Sequence, residues 1–407
     1  MKFRYSFPLF FLFLVLCNKS AHAANTCFRT GPYLQELSPT HVTIVYENNV
    51  TSFSWVEVQK VGSKNIKKYF ADALGKHRIY NQISAPQPSL PLQNFCVPVE
   101  ELEEGTSYEY RICSQKIEEM RPYSARIGTR YESDWYTFTT PRADATEHHI
   151  GILSDLHHQP ALLAQFLHAL NHESADALIF AGDIMDNMQV SSARVKAPEE
   201  PYESFVNTSI ELFATQKPFY MLRGECETQG DISRFFSQYF PHQSGRLYNA
   251  YRWGDLEIVL LDGGAAKPDS DPQAHQSTLS AFNLYREEEA RWFENLLQTE
   301  EFRNAKYRIV VSHFPIPCQV ENEKTEGGIA HFQELMLPLL NKAGIDLLVA
   351  GHQHPETYTL LPVGTQDNTF PCLVQGCNSA LRIDIQDGRI NLRIVDKEGK
   401  LLDTLTL

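Results

Sequence analysis

Six apolar runs in the second half of the chain each end on a Gly, Asp, Glu or His, and those stops are rich in metal-binding groups. The runs are HIGILSDLH (149–157), ALIFAGDIMD (177–186), FYMLRGECE (219–227), EIVLLDGG (257–264), YRIVVSHFP (307–315) and DLLVAGHQH (346–354). Four to six aliphatic or β-branched residues bounded by polar punctuation predict a buried strand. In open α/β sheets, ligands bind just beyond the carboxyl ends of the strands. The six stops are therefore expected to converge, and five of them bring Asp, His or Glu in metal-ligand form. Helical patterns lie between the runs. Leu162, Leu163, Phe166, Leu167 and Leu170 share one face, as do Ala290, Trp292, Phe293, Leu296 and Leu297, and residues 330–343 form a further helix candidate. Such alternation indicates a sheet covered by helices.

The first part of the chain has a different rhythm. HVTIVYE (41–47), FSWVEVQ (53–59), NFCVPVE (94–100), SYEYRIC (107–113) and DWYTFTT (134–140) are short, β-rich and separated by turn residues. This spacing predicts a β-sandwich over residues 25–142. Pro141-Arg142-Ala143-Asp144 marks the boundary, and the α/β domain is expected over 146–407. Its end, from Ala380 to Leu407, returns to alternating short strands. With 407 residues and 43% hydrophobic composition, the chain can build both cores.

Lys2 and Arg4 precede the apolar run Phe7–Leu16, and Ala21-His22-Ala23 follows. This pattern predicts an export signal over residues 1–23, cleaved after Ala23, and a secreted or periplasmic protein. The run is too short for a membrane span. A lipoprotein anchored through Cys17 is disfavoured, because bulky Leu16 stands where a small residue is expected. Cleavage would remove Lys2, Arg4 and Lys19 and no acid, taking the formal charge from −14 to −17. With no basic tract to offset that charge, binding of a nucleic-acid backbone is not expected. No later segment is apolar and long enough to span a membrane. Seven cysteines would remain, an odd number. Cys96–Cys113 and Cys372–Cys377 are possible pairs whose connectivity spacing alone does not establish. Oligomeric state is not legible.

The ordered segments Asp155-Leu156-His157, Gly182-Asp183-Ile184-Met185-Asp186, His313 after an apolar run, and Gly351-His352-Gln353-His354 resemble the calcineurin-like metallophosphoesterase superfamily. Gly224-Glu225-Cys226-Glu227 stands where that family shows Gly-Asn-His-Glu or Gly-Asn-His-Asp. With the opening Thr30-Gly31-Pro32-Tyr33-Leu34-Gln35 and a sandwich in front, the chain looks similar to bacterial relatives of purple acid phosphatases. The segment Leu102–Arg111 resembles the corner of a fibronectin type III domain, where a Tyr begins a strand after a Gly turn. The resemblance implies a fibronectin-like sandwich followed by two sheets flanked by helices. It also implies a phosphate ester as substrate and two divalent or trivalent metal ions, Fe, Zn or Mn. Asp155, His157, Asp183 and His354 would hold the first ion, and Asp183, Glu225, His313 and His352 the second. Two such ions supply a nucleophile at neutral pH and neutralise charge on the transferring phosphoryl group.

Two departures bear on activity. The family's Asn is a neutral ligand, whereas Glu225 is longer and anionic; a third carboxylate would hold a cation well while repelling an anionic phosphate. The family's His contacts the phosphate and assists the leaving group, and Cys226 offers no imidazolium donor. Loss of one such group typically costs about 10²–10⁴ in rate. The expectation is therefore a slowed or altered hydrolase in which Asp183, Glu225 and Cys226 carry the catalytic positions. The alternatives are a pseudoenzyme or envelope binding protein on the same fold and, disfavoured because the sequence supplies no activating base, Cys226 as a soft metal ligand or nucleophile. Asp186 replaces the Tyr of purple acid phosphatases, so no tyrosinate colour is expected, and Asp186 is expected to orient a ligand.

Overall fold

The computed structural model describes residues 27–71, 94–189, 205–271, 280–319 and 323–407. The expected leader and Cys17 lie outside the described residues. Eight strands form the first part. They are β1 (Phe28–Gln35), β2 (Val42–Asn48), β3 (Ser52–Lys60), β4 (Lys67–Tyr69), β5 (Asn94–Val99), β6 (Ser107–Arg121), β7 (Ser124–Glu132) and β8 (Tyr136–Thr139). One sheet has the order β1-β2-β5 and the other β4-β3-β6-β7, with β8 also paired to β6. All their pairings are antiparallel. Inward residues of both sheets, among them Ile44, Val56, Val97, Tyr110 and Phe138, make one core. The Tyr108 hydroxyl accepts from the Glu103 backbone N–H at 2.8 Å, closing the corner expected from the Gly105 turn. The region is consistent with a fibronectin-like domain.

The α/β part contributes β9 (His148–Leu153), β10 (Ala177–Phe180), β11 (Phe219–Met221), β12 (Asn249–Trp253), β13 (Leu256–Leu261) and β14 (Tyr307–Ser312). It continues with β15 (Leu347–Ala350), β16 (Tyr358–Leu361), β17 (Cys372–Gln375), β18 (Ala380–Gln386), β19 (Arg389–Val395) and β20 (Leu401–Thr406). Two mixed six-stranded sheets result, ordered β11-β10-β9-β18-β19-β20 and β12-β13-β14-β15-β17-β16. The six apolar runs are all strands, and those that neighbour one another pair in parallel.

Period-two alternation explains why these runs are apolar throughout. Ile150, Ile152, Ile179, Ile258, Leu260, Ile309, Val311, Leu347 and Val349 turn inward into a core shared by the two sheets. Leu153, Leu178 and Phe180 point outward, under the helix Pro160–Ala169. Val259, Leu261, Val310, Leu348 and Ala350 point out the other way, under the helices Phe282–Leu296 and Glu323–Ala343. The layering is helix, sheet, sheet, helix.

The sandwich docks on the edge strand β11. Leu34 bridges Pro218, the Gln35 amide donates to Phe219 O at 2.9 Å, and the Tyr33 hydroxyl donates to Tyr239 O at 2.7 Å. Tyr33 and Val45 also enter the core beneath the helix Pro160–Ala169. This contact covers the exposed ladder an edge strand would otherwise offer.

All seven described cysteines are free thiols, so neither candidate disulfide is present. Cys96 leaves the sandwich core and donates its Sγ to Gln238 O at 3.4 Å across the docking interface. Cys113 is buried within the opposite sheet, which separates the two. Cys372 is buried in β17, inside the core under the helices Phe282–Leu296 and Glu323–Ala343. Among the described residues no helix is long and apolar enough to cross a membrane.

Candidate metal centre

The loops that follow β9, β10, β11, β14 and β15 meet where the two sheets abut. They bring together three donor groups, each with ligand atoms within 4.8 Å of one another. Asp155, His157 and His354 make one, Asp183, His313 and His352 the second, and His157, Asp183 and Cys226 the third. Six of the seven residues expected as metal ligands thus stand in two neighbouring sets. Glu225 is the exception. It precedes the short 3₁₀ turn Cys226–Thr228 and belongs to none of the three groups, whereas Cys226 does. Cys226 N–H donates to Asp183 Oδ1 at 2.8 Å, which holds residue 226 beside that carboxylate.

The backbone at this junction is strained. Asp155, His157, Asp183, His352 and His354 all adopt positive φ, from 43° to 70°. Asp and His visit this region more readily than most residues, yet each instance costs on the order of 1–3 kcal/mol. Five left-handed residues among the six grouped donors mark a place where geometry is held against local preference. Two glycines make room for it. Gly182 has φ of +91°, and a Cβ there would lie 2.6 Å from His313 Nδ1. A Cβ on Gly351 would fall onto the Ser154 hydroxyl and the Asp155 carboxylate.

His313 is wholly buried, and its Nδ1 lies 3.0 Å from Ala181 O, to which it donates. That bond fixes the ring and leaves the buried Nε2 without a hydrogen-bond partner; Asp183 Oδ2 is 3.5 Å away. A buried imidazole nitrogen orphaned opposite a carboxylate is what a cation would satisfy. Asp155 Oδ1 accepts from His354 Nε2 at 3.0 Å, and its two oxygens accept from His352 N–H at 3.1 and 3.0 Å. His157 and His354 bring their Nε2 atoms to 3.2 Å. Donors of carboxylate and imidazole type suit Zn, Fe and Mn. The residues therefore fit metal ions.

The electrostatics agree. Burial opposes a charge on His313, but Asp183 and then Asp155 outweigh it and raise its pKa to about 10. Burial also opposes ionisation of Asp183, and the His313 charge reverses that, holding the carboxyl well below its ordinary value. His352 is pushed down to about 4 by burial and then by His313. In the metal-free protein a proton on His313 thus occupies the role of the cation. The His313 value is raised on folding, so this proton stabilises the metal-free fold below pH 6.5 and is lost as pH rises through about 10. A metal must displace it. Loading is expected to release at least one proton at pH 7.5 and to tighten as pH rises towards 10, whereas His352 is already neutral. Calorimetry in two buffers of different ionisation enthalpy checks this; an enthalpy independent of the buffer would refute it.

One important residue escaped the sequence reading. Glu227 is fully buried, and its carboxylate accepts from Asp183 N, Ile184 N, Met185 N and Gly224 N at 2.9, 3.0, 3.0 and 2.7 Å. It clamps the Asp183 loop to the Gly224 loop. Its signal was its place as the acid that closes the Gly-Glu-Cys-Glu segment. Arg223 was missed too: its Nε donates to Asp262 Oδ2 at 2.7 Å, and its guanidinium lies 5.5 Å from the Tyr285 ring centroid. Asp262 ends the fourth apolar run and so anchors the loop that carries Cys226. Asp186 Oδ1 is 3.7 Å from Nδ1 of His157, one of the expected ligands.

The calcineurin-like phosphoesterase family model matches residues 148–356, an interval that contains every donor above and slightly more than half of the chain. The chain belongs to the calcineurin-like phosphoesterase family. Among solved structures it is similar to a purple acid phosphatase from yellow lupin (Lupinus luteus) seeds, with a TM-score of 0.64 and 13% identity over 92% of this chain and 73% of that one. That likeness extends the shared fold from the phosphoesterase domain to the sandwich. GAP50, the anchor in the inner membrane complex of Plasmodium, aligns over 65% of this chain and 89% of its own at 14% identity and a TM-score of 0.45. No curated protein matches the chain by sequence. Membership in this phosphoesterase family implies divalent metal ions and a phosphate ester substrate, consistent with the donor groups.

Proposed function

We propose that this protein is an exported, dinuclear metal-dependent phosphoesterase whose turnover is slowed by Glu225 and Cys226. The observation that carries the reading is the pair of donor sets, Asp155, His157, His354 and Asp183, His313, His352, side by side at the strand ends of a phosphoesterase fold. Cations held there supply a nucleophile at neutral pH and charge neutralisation on the phosphoryl group. The chain's own residues prepare that chemistry. Ala181 O fixes the His313 ring, Glu227 fixes the Asp183 backbone, and the left-handed turns aim five ligands inward. Export rests on the leader pattern of residues 1–23.

The second reading, a non-catalytic binding protein, is favoured by Cys226 alone, since a half-buried neutral thiol is a poor donor to a phosphate or leaving group. Burial and then Asp183 and Glu227 push its pKa far above the ordinary thiol value, so it carries no charge in the metal-free protein. Metal analysis together with p-nitrophenyl phosphate hydrolysis separates the two. Stoichiometric metal with turnover supports the enzyme, and metal without turnover on any ester supports the binding protein. Converting Glu225→Asn and Cys226→His together is expected to speed hydrolysis at least about tenfold, a barrier change of about 1.4 kcal/mol. A double variant no faster than the parent would show that this segment does not limit the rate.

A further inference from the structure

We infer that Cys226 is itself a metal ligand, closing with His157 and Asp183 a three-donor set that gives this centre a preference for thiophilic cations of the zinc class. The inference rests on the metal-centre reading above and deepens it by naming the kind of ion.

Three observations lead there. The first is that Cys226 does not stand alone: its Sγ, a His157 nitrogen and an Asp183 oxygen all lie within 4.8 Å of one another. The second is that its position is built. Cys226 N–H donates to Asp183 Oδ1 at 2.8 Å, and Glu227, next in the chain, is tied to four backbone N–H groups on both loops. The third is fit. Cys226 Sγ lies 4.0 Å from His157 Nδ1, so on this ion His157 ligates through Nδ1 rather than through the Nε2 that faces His354. Tetrahedral zinc, with bonds of about 2.3 Å to sulfur and 2.0–2.1 Å to nitrogen, sets those atoms about 3.6 Å apart. The pair needs to close by only about 0.4 Å, within the reach of one χ1 adjustment. Asp186 Oδ1, 3.7 Å from the same nitrogen, is a further oxygen donor at this edge.

The chemistry then separates this site from one built of oxygen and nitrogen alone. Soft thiolate donors select Zn and related ions, whereas Mg and Mn favour carboxylate, carbonyl and water. On binding, the S–H bond breaks, the proton passes to solvent and the sulfur electron pair forms the metal–sulfur bond. Nothing is oxidised or reduced. Glu225, expected as a ligand of the second ion, belongs to none of the donor groups.

Cobalt(II) is the probe. Titrating Co²⁺ into chelator-stripped protein is expected to raise a near-ultraviolet thiolate-to-cobalt charge-transfer band that saturates with bound metal and is absent in Cys226→Ser. Zn²⁺ is expected to bleach the band and to shield the Cys226 peptide from alkylation in the parent, a readout that does not depend on the variant's folding. In Cys226→Ser the affinity for Zn²⁺ should fall at least about tenfold while that for Mn²⁺ stays within about twofold. Stoichiometric cobalt without the band overturns the thiolate ligand and leaves the phosphoesterase reading intact. A band that persists in Cys226→Ser assigns it to another cysteine and also overturns the proposal. No cobalt bound by the parent overturns both.

Discussion

Glu227→Ala is expected to lower the stability of the protein by about 4 kcal/mol, close to the whole margin of a typical domain. Its carboxylate is the acceptor for four buried backbone N–H groups, and alanine would leave all four without one. Each unsatisfied buried donor costs about 1–3 kcal/mol, and water entering the vacated space recovers part of the sum. Burial and then Asp183 raise the pKa of Glu227, so the site already bears the cost of two carboxylates in one pocket. Removing one relieves some repulsion, which is a further reason to expect about 4 rather than the full total. Glu227→Gln should fall between, since its oxygen can keep two of the N–H groups while its NH₂ opposes the others. Urea unfolding of metal-free protein measures both. A loss below about 1 kcal/mol for the alanine variant would mean that the two loops are held by something other than this carboxylate.

Asp183→Asn should leave the fold in place and empty the centre. The amide keeps an oxygen for Cys226 N–H, so the local hydrogen bond survives. What disappears is the charge that belongs to two of the three donor groups. Replacing a residue that merely orients a ligand costs about 10–100-fold in metal affinity. Losing a carboxylate shared between donor groups should cost at least about 100-fold, with turnover falling in step. Metal content after dialysis and the p-nitrophenyl phosphate rate provide the two readouts. The variant also tests the electrostatics. Without the Asp183 charge, burial should dominate His313 and bring its pKa down, so the proton released on loading falls. An Asn variant that retains full metal content would remove Asp183 from the ligand set.

How much of this could be seen beforehand differs between regions, for physical reasons. The six apolar runs were legible because strands buried on both faces tolerate almost no polar residue, so their ends stand out. In the sandwich, strands were read as short β-rich stretches set off by turn residues, but β7 was not. Ser124–Glu132 is exposed on nearly every residue, and with neither face in a core it has no period to detect. β1 was recognised only as a motif, since Gly31 and Pro32 interrupt the pattern a strand is read by. The candidate disulfides failed because pairing depends on which sheet and which face each sulfur occupies, a non-local property.

At the centre itself, Asp155, His157, Asp183, His313, His352 and His354 were visible because ligand types recur at the stops of consecutive strands, and covalent order alone brings strand ends to one side of a parallel sheet. The roles of residues 223–227 were not visible. Cys226 is held beside Asp183 by one hydrogen bond across 43 positions of sequence. That Glu227 binds four backbone groups rather than a metal depends on the close approach of two loops. The amino-acid order settled which elements form and which ligand types they deliver, through burial and periodicity that act along the chain. The packing of two sheets settled which side chains meet, because such contacts are made between segments that share no local pattern.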